Sequence, residues 1–511
     1  ADGKNVPADS LNINVYVYGS HDFYNGYVFC MGDYVCWSAP VDDLGNWRYE
    51  GTIYRKTDDP LNPDGKMCLY APDVTVGPDG RYPYLPGGST FRMENRNLLA
   101  PDAICGPDGR YYLYYVLDKV SIVSVAVCDT PAGKYEFLGY VHDKNGVRLG
   151  ERETDEPQFD PGVLTEGDKT YLYTGACASG DKSRTGAFVT VLGSDMLTIE
   201  EEPVRVVPGC EYSEGSGFYG HAFFEASSIR KRGNAYYFIY SSEVMHELCY
   251  AVSDQPDGGF TFGGTIVSNG DVGLDGRPLE EKLNMTGTTH GSIIEINGQW
   301  YAFYHRLTHK SDYSRQACAE KIKIEADGSI RQVEVTSCGL NEGPLVAEGS
   351  YPAVIACNLT NGSMPHGNNS IYKEEFPNIT NSGEERFIGE IDHGTLIGYK
   401  YFEFKNVTRI GIVGRIETEE NKARFDTPAR LDARSRLIHK PVDMPVPENN
   451  FFELRLEPEG PACGKINITD AEDEHAWECF TGDVQIPDGI HALYLVYHGK
   501  DKCQMKELKF L

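Results

Sequence analysis

The segment HAFFEASSIRKRGNAYYFIYSS, residues 221–242, joins a single carboxylate to an aromatic strand. Glu225 follows two phenylalanines, and a Gly233-Asn234 turn leads into the run YYFIY at 236–240. Aromatic and β-branched residues in such a run are typical of a buried strand. A carboxyl group held against apolar neighbours loses hydration of its charged form, so we expect its pKa to rise towards the range that a general acid needs. The alternative is a surface glutamate that precedes an ordinary strand.

The same kind of aromatic strand recurs along the first 305 residues. Four of the five copies follow a tight-turn signal, such as Asp108-Gly109 or Asn297-Gly298. From the second copy to the fifth, positions 112, 171, 237 and 301 are 59, 66 and 64 residues apart, a length that suits one four-stranded blade. Five copies therefore predict an all-β fold that begins with a five-bladed β-propeller. The copies lie at residues 15–20, 111–115, 171–175, 236–240 and 300–305.

A local duplication explains the longer interval between the first two copies. The pattern of residues 70–82, YAPD followed by GPDGRY, returns 29 residues later at 99–111. Only the second pattern runs on into a complete strand. We therefore expect the second pattern to form the blade and the first to be an excursion over one face of the propeller.

The character of the chain changes after about residue 345. Segments at 399–404, 409–413, 451–456 and 490–497 alternate apolar and polar residues with a period of two. Short alternating strands with turn residues between them are typical of a β-sandwich. We predict a propeller domain at 1–345, a sandwich domain at 346–511, and a structured linker at 341–369.

The net charge of the chain limits the classes of molecule that it can bind. Among the 511 residues, 47 lysines and arginines stand against 76 aspartates and glutamates, which leaves a net charge of −29. Such a charge argues against nucleic acid and anionic membranes as partners, whereas neutral sugars remain compatible. The sequence contains no run of 18 apolar residues. We expect a soluble protein, in the cytoplasm or secreted after removal of a signal.

Residues 1 to about 345 resemble family 43 glycoside hydrolases. The segment FEAS at 224–227, with IRK at 229–231 and the aromatic strand, is similar to the family's acid strand. The segment QFDPGVL at 158–164 is similar to its F-D-x-S-x-F segment. The resemblance implies a five-bladed propeller in which Glu225 is the general acid and Asp160 sets its pKa and orientation. Without the resemblance, Asp160 reads as a turn aspartate before Pro161.

The resemblance also implies a general base near the N-terminus. The family has an Asp-Pro pair before the first-blade strand, and here Ala1-Asp2-Gly3 stands in roughly that place without the proline. We assign the base to Asp2 by its distance from Ser20. Asp9 and Asp22 are the alternatives.

Three further residues are assigned by the same resemblance. TTHGS at 288–292 is similar to the family's H-G-S segment and implies that His290 lies on the propeller axis beside a water or an ion, commonly calcium. Imidazole by itself favours transition metals. The segment YSRQ at 313–316 implies that Arg315 reaches a substrate group. Asp102, with Asp73 as the alternative, is the motif aspartate of blade two, which we assign to substrate binding. The alternative reading of His290 is a structural histidine, and that of Arg315 is a surface cation.

The end of the chain has a weaker resemblance of its own. Residues 400–511, above all QIPDGIHALY at 485–494, resemble family 6 carbohydrate-binding modules. The segment 417–447 departs from that pattern. The alternative is a sandwich that only supports the propeller.

Together these resemblances imply an inverting exo-glycosidase that acts on arabinan or arabinoxylan oligosaccharides of plant cell walls. Glu225 would protonate the departing oxygen while Asp2 activates a water on the opposite face, which requires carboxyl groups about 6.5–9.5 Å apart. The product would be a terminal arabinofuranosyl or xylosyl unit. The alternatives are a retaining fructan hydrolase and a non-catalytic propeller that binds sugar.

Overall fold

The computed structural model describes residues 13–26, 28–64, 96–367, 369–423, 436–439, 445–470 and 473–511. The secondary structure described there consists of β-strands and short 3-10 helices, the latter at Lys56–Asp58, Cys210–Tyr212, Asn269–Asp271, Leu274–Gly276, Leu279–Glu281 and Ala353–Ile355. None of the helices found in these ranges has the length and apolar character needed to cross a bilayer.

The chain folds into two compact units that interleave along the sequence. The first unit holds residues 1–266, 289–305 and 322–332, and the second holds 267–288, 306–321 and 333–511. The sequence predicts a single domain boundary after residue 345, and that boundary stays a prediction.

The first unit contains five antiparallel sheets in chain order. The first sheet consists of β1 (Asn14–Gly19), β2 (Tyr34–Pro40) and β3 (Arg48–Tyr54). The second consists of β4 (Leu98–Cys105), β5 (Tyr111–Leu117), β6 (Val123–Cys128) and β7 (Glu136–Tyr140). The third consists of β8 (Gly162–Glu166), β9 (Lys169–Thr174), β10 (Gly186–Leu192) and β11 (Ile199–Pro208). The fourth consists of β12 (Phe223–Arg232), β13 (Ala235–Ser242), β14 (Glu247–Ser253) and β15 (Thr261–Ser268), and the fifth begins with β16 (Gly291–Ile296) and β17 (Gln299–Leu307).

The first strands of successive sheets pack against one another around a common centre. β4 contacts β8, β8 contacts β12, and β12 contacts β16, while β1 contacts β4. The ring is closed by Asn297, whose side-chain Nδ2 in the turn after β16 donates a hydrogen bond to the carbonyl of Val41 at 2.6 Å. This arrangement confirms the predicted five-bladed propeller.

The aromatic strands that the sequence singles out are all present. In sheets two to five they are the second strands, β5, β9, β13 and β17, and the last three follow two-residue turns. Gly167, Gly233 and Asn297 each have a positive φ in these turns, as such hairpins require. Of the duplicated pattern, the second copy forms β4 and leads into β5 as predicted, while the first copy, at 70–82, lies outside the described residues and its excursion stays a prediction.

Aromatic side chains fill the space between neighbouring blades. Phe238 of β13 is fully buried, and its ring lies 5.5 Å from that of Tyr173 in the third sheet and 6.0 Å from those of Phe223 and Phe260. Full burial of an aromatic side chain contributes about 1.5–3 kcal/mol to folding. The aromatic runs therefore attach one blade to the next.

The second unit contains a β-sandwich. One sheet has the order β19 (Leu345–Val346), β25 (Leu396–Phe404), β31 (Gly489–His498), β28 (Asn450–Arg455) and β29 (Ala462–Ile468), with β21 (Asn358–Thr360) also on β25. The other has the order β23 (Asn378–Ser382), β24 (Glu385–Ile391), β32 (Cys503–Phe510), β26 (Arg409–Ile416) and β30 (Glu478–Asp483), with β20 (Gly349–Pro352) also on β32. The unit also includes β18 (Arg315–Ile322) and the pair β22 (Ser363–His366) and β27 (Arg436–His439). The four alternating segments predicted as sandwich strands are confirmed.

The predicted linker at 341–369 is wrong. This segment supplies β19 and β21 to one sheet of the sandwich and β20 to the other. Some of its turn-forming residues lie between strands, as Asn361 and Gly362 do between β21 and β22, but others lie within β20 itself, which is Gly349–Pro352. The backbone groups of these very short strands are satisfied by pairing with longer strands.

Candidate active site

Glu225 lies in an irregular part of β12, the first strand of the fourth blade. Phe223 pairs with Ser242 and Glu225 pairs with Ser241, but the register shifts on both sides of Glu225. The next residue, Ala226, has φ 71, a left-handed conformation that is rare for alanine. A bulge of this kind re-aims the side chain beside it and is common next to active sites. The glutamate is half-buried.

Asp160 from the third blade binds the backbone beside Glu225. Its carboxylate is 4% exposed, and Oδ2 accepts a hydrogen bond from the N–H of Ala226 at 3.1 Å. The neighbouring strands approach closely here, since a Cβ added to Gly162 would lie 2.6 Å from the carbonyl oxygen of Ser227. The structure therefore brings Asp160 to the peptide that follows Glu225, although the two residues are far apart in sequence.

His290 approaches the same carboxylate oxygen of Asp160 that accepts the N–H of Ala226. Its Nδ1 is 3.7 Å from Oδ2 of Asp160, and β16, which follows it, is joined to β12 by a hydrogen bond of 2.8 Å from Ser228 Oγ to Ser292 Oγ. Calcium takes six to eight oxygen ligands. The pair offers one imidazole nitrogen and a carboxylate that already binds a backbone N–H, so these side chains do not form a calcium cage by themselves. Calcium and the role of His290 stay predictions.

Asp102 joins the second and third blades in the way that Asp160 joins the third and fourth. Its Oδ2 accepts the N–H of Val163 at 2.9 Å, and its Oδ1 accepts the N–H of Ala103 at 3.0 Å. Burial raises the pKa of Asp102, against the opposing charge of Arg230 and these two hydrogen bonds. The structure shows a role in holding two blades together, and substrate binding by Asp102 stays a prediction.

Tyr34 is a neighbour of Asp160 that the sequence does not reveal. It is fully buried on β2, and its hydroxyl donates to the carbonyl of Leu99 at 2.7 Å. Burial raises the pKa of Tyr34 well above 10, and the charge of Asp160 adds to the rise. The phenol therefore stays protonated beside the buried carboxylate.

The roles predicted for the remaining residues are not tested by the structure. Asp2, Asp9 and Asp73 lie outside the described residues. Asp22 is described, and its Oδ1 accepts the N–H of Cys30 at 2.8 Å in the connection between β1 and β2. Arg315 begins β18 in the second unit. The base and the arginine contact stay predictions.

A second polar group lies at the entry to β12. His221 Nδ1 donates to Glu247 Oε1 at 2.7 Å, and Ser242 and Thr265 donate to Oε1 and Oε2 of the same carboxylate at 2.7 and 2.8 Å. The ring of His221 stacks on Phe262 with centroids 4.8 Å apart. Sequence reasoning missed this group because 26 residues separate the histidine from its carboxylate.

The sequence of this chain is similar to those of known glycoside hydrolases. Residues 82–330 match the profile of the glycosyl hydrolases family 43. A xylosidase/arabinosidase of Thermoclostridium stercorarium is 51% identical over 510 residues, which covers 97% of this chain and 94% of that protein. The chain belongs to glycosyl hydrolase family 43. A xylosidase/arabinosidase of Bacteroides ovatus is 27% identical over 63% of this chain and 91% of its own length, and the xylosidase/arabinosidase 43A of Humicola insolens is 31% identical over 39% and 72%.

Family membership confirms the resemblance found in the propeller sequence. This family 43 protein is a glycoside hydrolase, and the polar centre formed by Asp160, Ala226 and His290 is its candidate active site. The similarity to family 6 carbohydrate-binding modules stays a prediction, although the predicted sandwich is present.

Proposed function

We propose that this family 43 enzyme is an inverting exo-glycosidase that removes terminal xylosyl or arabinofuranosyl units from xylan or arabinoxylan oligosaccharides. One observation carries the proposal: the buried carboxylate of Asp160 accepts the N–H of Ala226, the residue directly after Glu225. A second support is the relative at 51% identity, which is named a xylosidase/arabinosidase.

Glu225 is the proposed general acid. A negative charge close to a carboxyl group disfavours ionisation of that group, so Asp160 would favour the protonated form of Glu225. The hydrogen bond to Ala226 also fixes the bulge from which the Glu225 side chain projects. Asp160 therefore has two proposed roles, one electrostatic and one in orienting the acid.

Asp2 is the proposed base, which takes a proton from the attacking water. In an inverting enzyme that water lies between the base and the anomeric carbon, on the face opposite to the acid. Proton loss to the base, bond formation from water to carbon, and protonation of the departing oxygen complete hydrolysis in one displacement. His290, Asp102 and Arg315 would bind hydroxyl groups of the substrate.

The test combines substrate choice with stereochemistry. Wild-type enzyme is incubated with nitrophenyl β-xyloside, nitrophenyl α-arabinofuranoside, xylobiose and arabinoxylan oligosaccharides, and the first-formed sugar anomer is followed by proton NMR. We expect release of single xylose or arabinose units with inverted configuration. Retention would contradict the mechanism, and binding of arabinoxylan without release of sugar would favour the non-catalytic alternative.

A further inference from the structure

His221 combines rigid support with exposure at the entry to the strand that carries the proposed acid. Its side chain is 41% exposed, although Glu247 binds Nδ1 and Phe262 stacks on one face of the ring. Glu247 is itself buried and receives hydroxyl hydrogen bonds on both oxygens. A side chain that is held by fixed partners and still faces solvent loses little conformational entropy when it binds a ligand.

The backbone at this point is held as firmly as the ring. The hydroxyl of Tyr240 donates to the carbonyl of His221 at 2.8 Å, and the N–H of Glu243 donates to the carbonyl of Ala222 at 2.8 Å. His221 precedes Glu225 by four positions, so their Cα atoms are no more than about 14 Å apart. Both belong to the first unit.

The departing part of the substrate must lie on the side of the general acid, because the acid gives its proton to the departing oxygen. The connection that leads into β12 is close to Glu225 along the chain, so its exposed side chains are candidates to contact the leaving group. This connection also exposes an aromatic ring, since Tyr219 is 70% exposed. Exposed aromatic rings offer flat apolar faces to sugar rings, and a fixed imidazole offers a directed hydrogen bond.

We infer that His221, oriented by Glu247, binds a hydroxyl group of the leaving-group sugar, with Tyr219 as an apolar surface beside it. Glu247 occupies Nδ1, so Nε2 is the ring nitrogen that binds the sugar. His221 is then a specificity residue for oligosaccharides, and Glu247 is its positioning residue. This inference rests on the proposed function of Glu225.

A metal site at the same place is disfavoured by the hydrogen bonds. His221, Glu247 and Cys249 have potential ligand atoms within 4.8 Å of one another. However, both oxygens of Glu247 already accept hydrogen bonds, and burial raises the pKa of Cys249 well above 9, so the thiol stays protonated. The three groups are better explained as a support for the imidazole.

Substrates with two kinds of leaving group distinguish sugar binding by His221 from a purely structural role. Nitrophenol has no sugar hydroxyl, whereas the leaving group of xylobiose is a whole xylose. We expect His221→Ala to lower kcat/KM for xylobiose at least tenfold and for nitrophenyl β-xyloside less than twofold. His221→Gln, which keeps a hydrogen-bonding side chain, is expected to recover part of the loss. If the enzyme releases arabinose instead, the comparison uses nitrophenyl α-arabinofuranoside and arabinoxylan oligosaccharides.

The controls distinguish the two proposals. His142→Ala, a histidine substitution elsewhere in the propeller, should leave kcat/KM for both substrates unchanged. Equal losses on both substrates for His221→Ala, or no loss on either, would overturn the role of His221 while the proposed function stands. Failure of the wild-type enzyme to hydrolyse any of the four substrates would overturn both. Glu247→Ala should reproduce the selective loss, and Glu247→Gln, which still accepts from Nδ1–H, should show a smaller one.

Discussion

The N–H of Ala226 and the Oδ2 atom of Asp160 are joined by a hydrogen bond of 3.1 Å that links β12 to the segment just before β8, the first strand of the preceding blade. Both residues have positive φ values, 71 and 42, so each backbone adopts a costly conformation at this contact. The bond fixes the peptide that follows Glu225. It therefore connects the orientation of the proposed acid to a buried carboxylate from another blade.

Replacement of Glu225 by glutamine removes the proton donor and keeps the shape of the side chain. We expect kcat on xylobiose to fall by about 10²–10⁴-fold, because general acid catalysis typically contributes that much. Thermal unfolding should be unchanged. Glu166→Gln, a substitution at the last residue of β8, is the matched control and should retain activity. Activity within threefold of wild type for Glu225→Gln would contradict the assignment.

The base is tested by replacing three aspartates separately by asparagine. Asp2→Asn should abolish turnover, whereas Asp9→Asn should not. Asp22 accepts the N–H of Cys30, and asparagine can keep that hydrogen bond, so Asp22→Asn should retain most activity. Rates on nitrophenyl substrates and melting temperatures provide the comparison. Loss of activity in Asp22→Asn alone would show that the base lies after β1.

The ion pair of His221 and Glu247 should stabilise the propeller only within a pH window. The hydrogen bond to Glu247 raises the pKa of His221 above 6.5, so its contribution is complete below pH 6.5 and disappears as the pH rises through the raised value. Burial alone would raise the pKa of Glu247, but the hydrogen bond and charge of His221, with two hydroxyl donors, lower it below 4.5. The contribution of Glu247 is therefore present above pH 4.5 and is lost as the pH falls through the lowered value.

This window is measured by comparing the thermal unfolding of wild type and His221→Gln across pH. The difference should be greatest between about pH 5 and 6.5 and should shrink above that range. Because the ring is partly exposed, we expect a difference of about 1 kcal/mol or less. The charge of Glu243, which also acts on His221, is present in both proteins. A difference that grows as the pH rises towards 9 would contradict the ion pair.

Replacing one partner of a buried ion pair in the second unit should lower the free energy of unfolding. Lys400 Nζ lies 2.9 Å from Asp271 Oδ2, and the two side chains are 4% and 1% exposed. Removal of one partner leaves a buried charge, a change that typically costs about 3–5 kcal/mol. Lys400→Met should therefore lower the melting temperature sharply, and the Lys400→Met, Asp271→Asn double variant should recover part of the loss. Additive losses would show that the two charges do not interact. Lys506→Met, a partly exposed lysine, is the control.

The sequence predicted the strands well and the contacts between them only in part. Aromatic runs such as 236–240 carry their own local signal, since strand propensity, a preceding turn and burial all agree. The proximity of Asp160 to Glu225 was inferred from the family resemblance alone. No local pattern shows that a bulge at Ala226 provides the donor. The pairing of His221 with Glu247 also depends on strand register, which a single sequence does not specify.

The error at 341–369 has a related cause. Strands as short as Leu345–Val346 have too few residues to show an alternating pattern, and they form because a long strand is already in place beside them. Turn residues dominate the composition of such a segment. It therefore reads as a connection even though it is part of both sandwich sheets.

The hydrogen bond from Asn297 to Val41 spans 256 residues of chain. During translation the first blade leaves the ribosome long before the strand that will close the ring has been made. Until then the open side of the first blade is exposed to other nascent chains, and such open edges favour aggregation. Yield in a heterologous host should therefore depend on temperature and chaperone supply more than on the final stability of the enzyme.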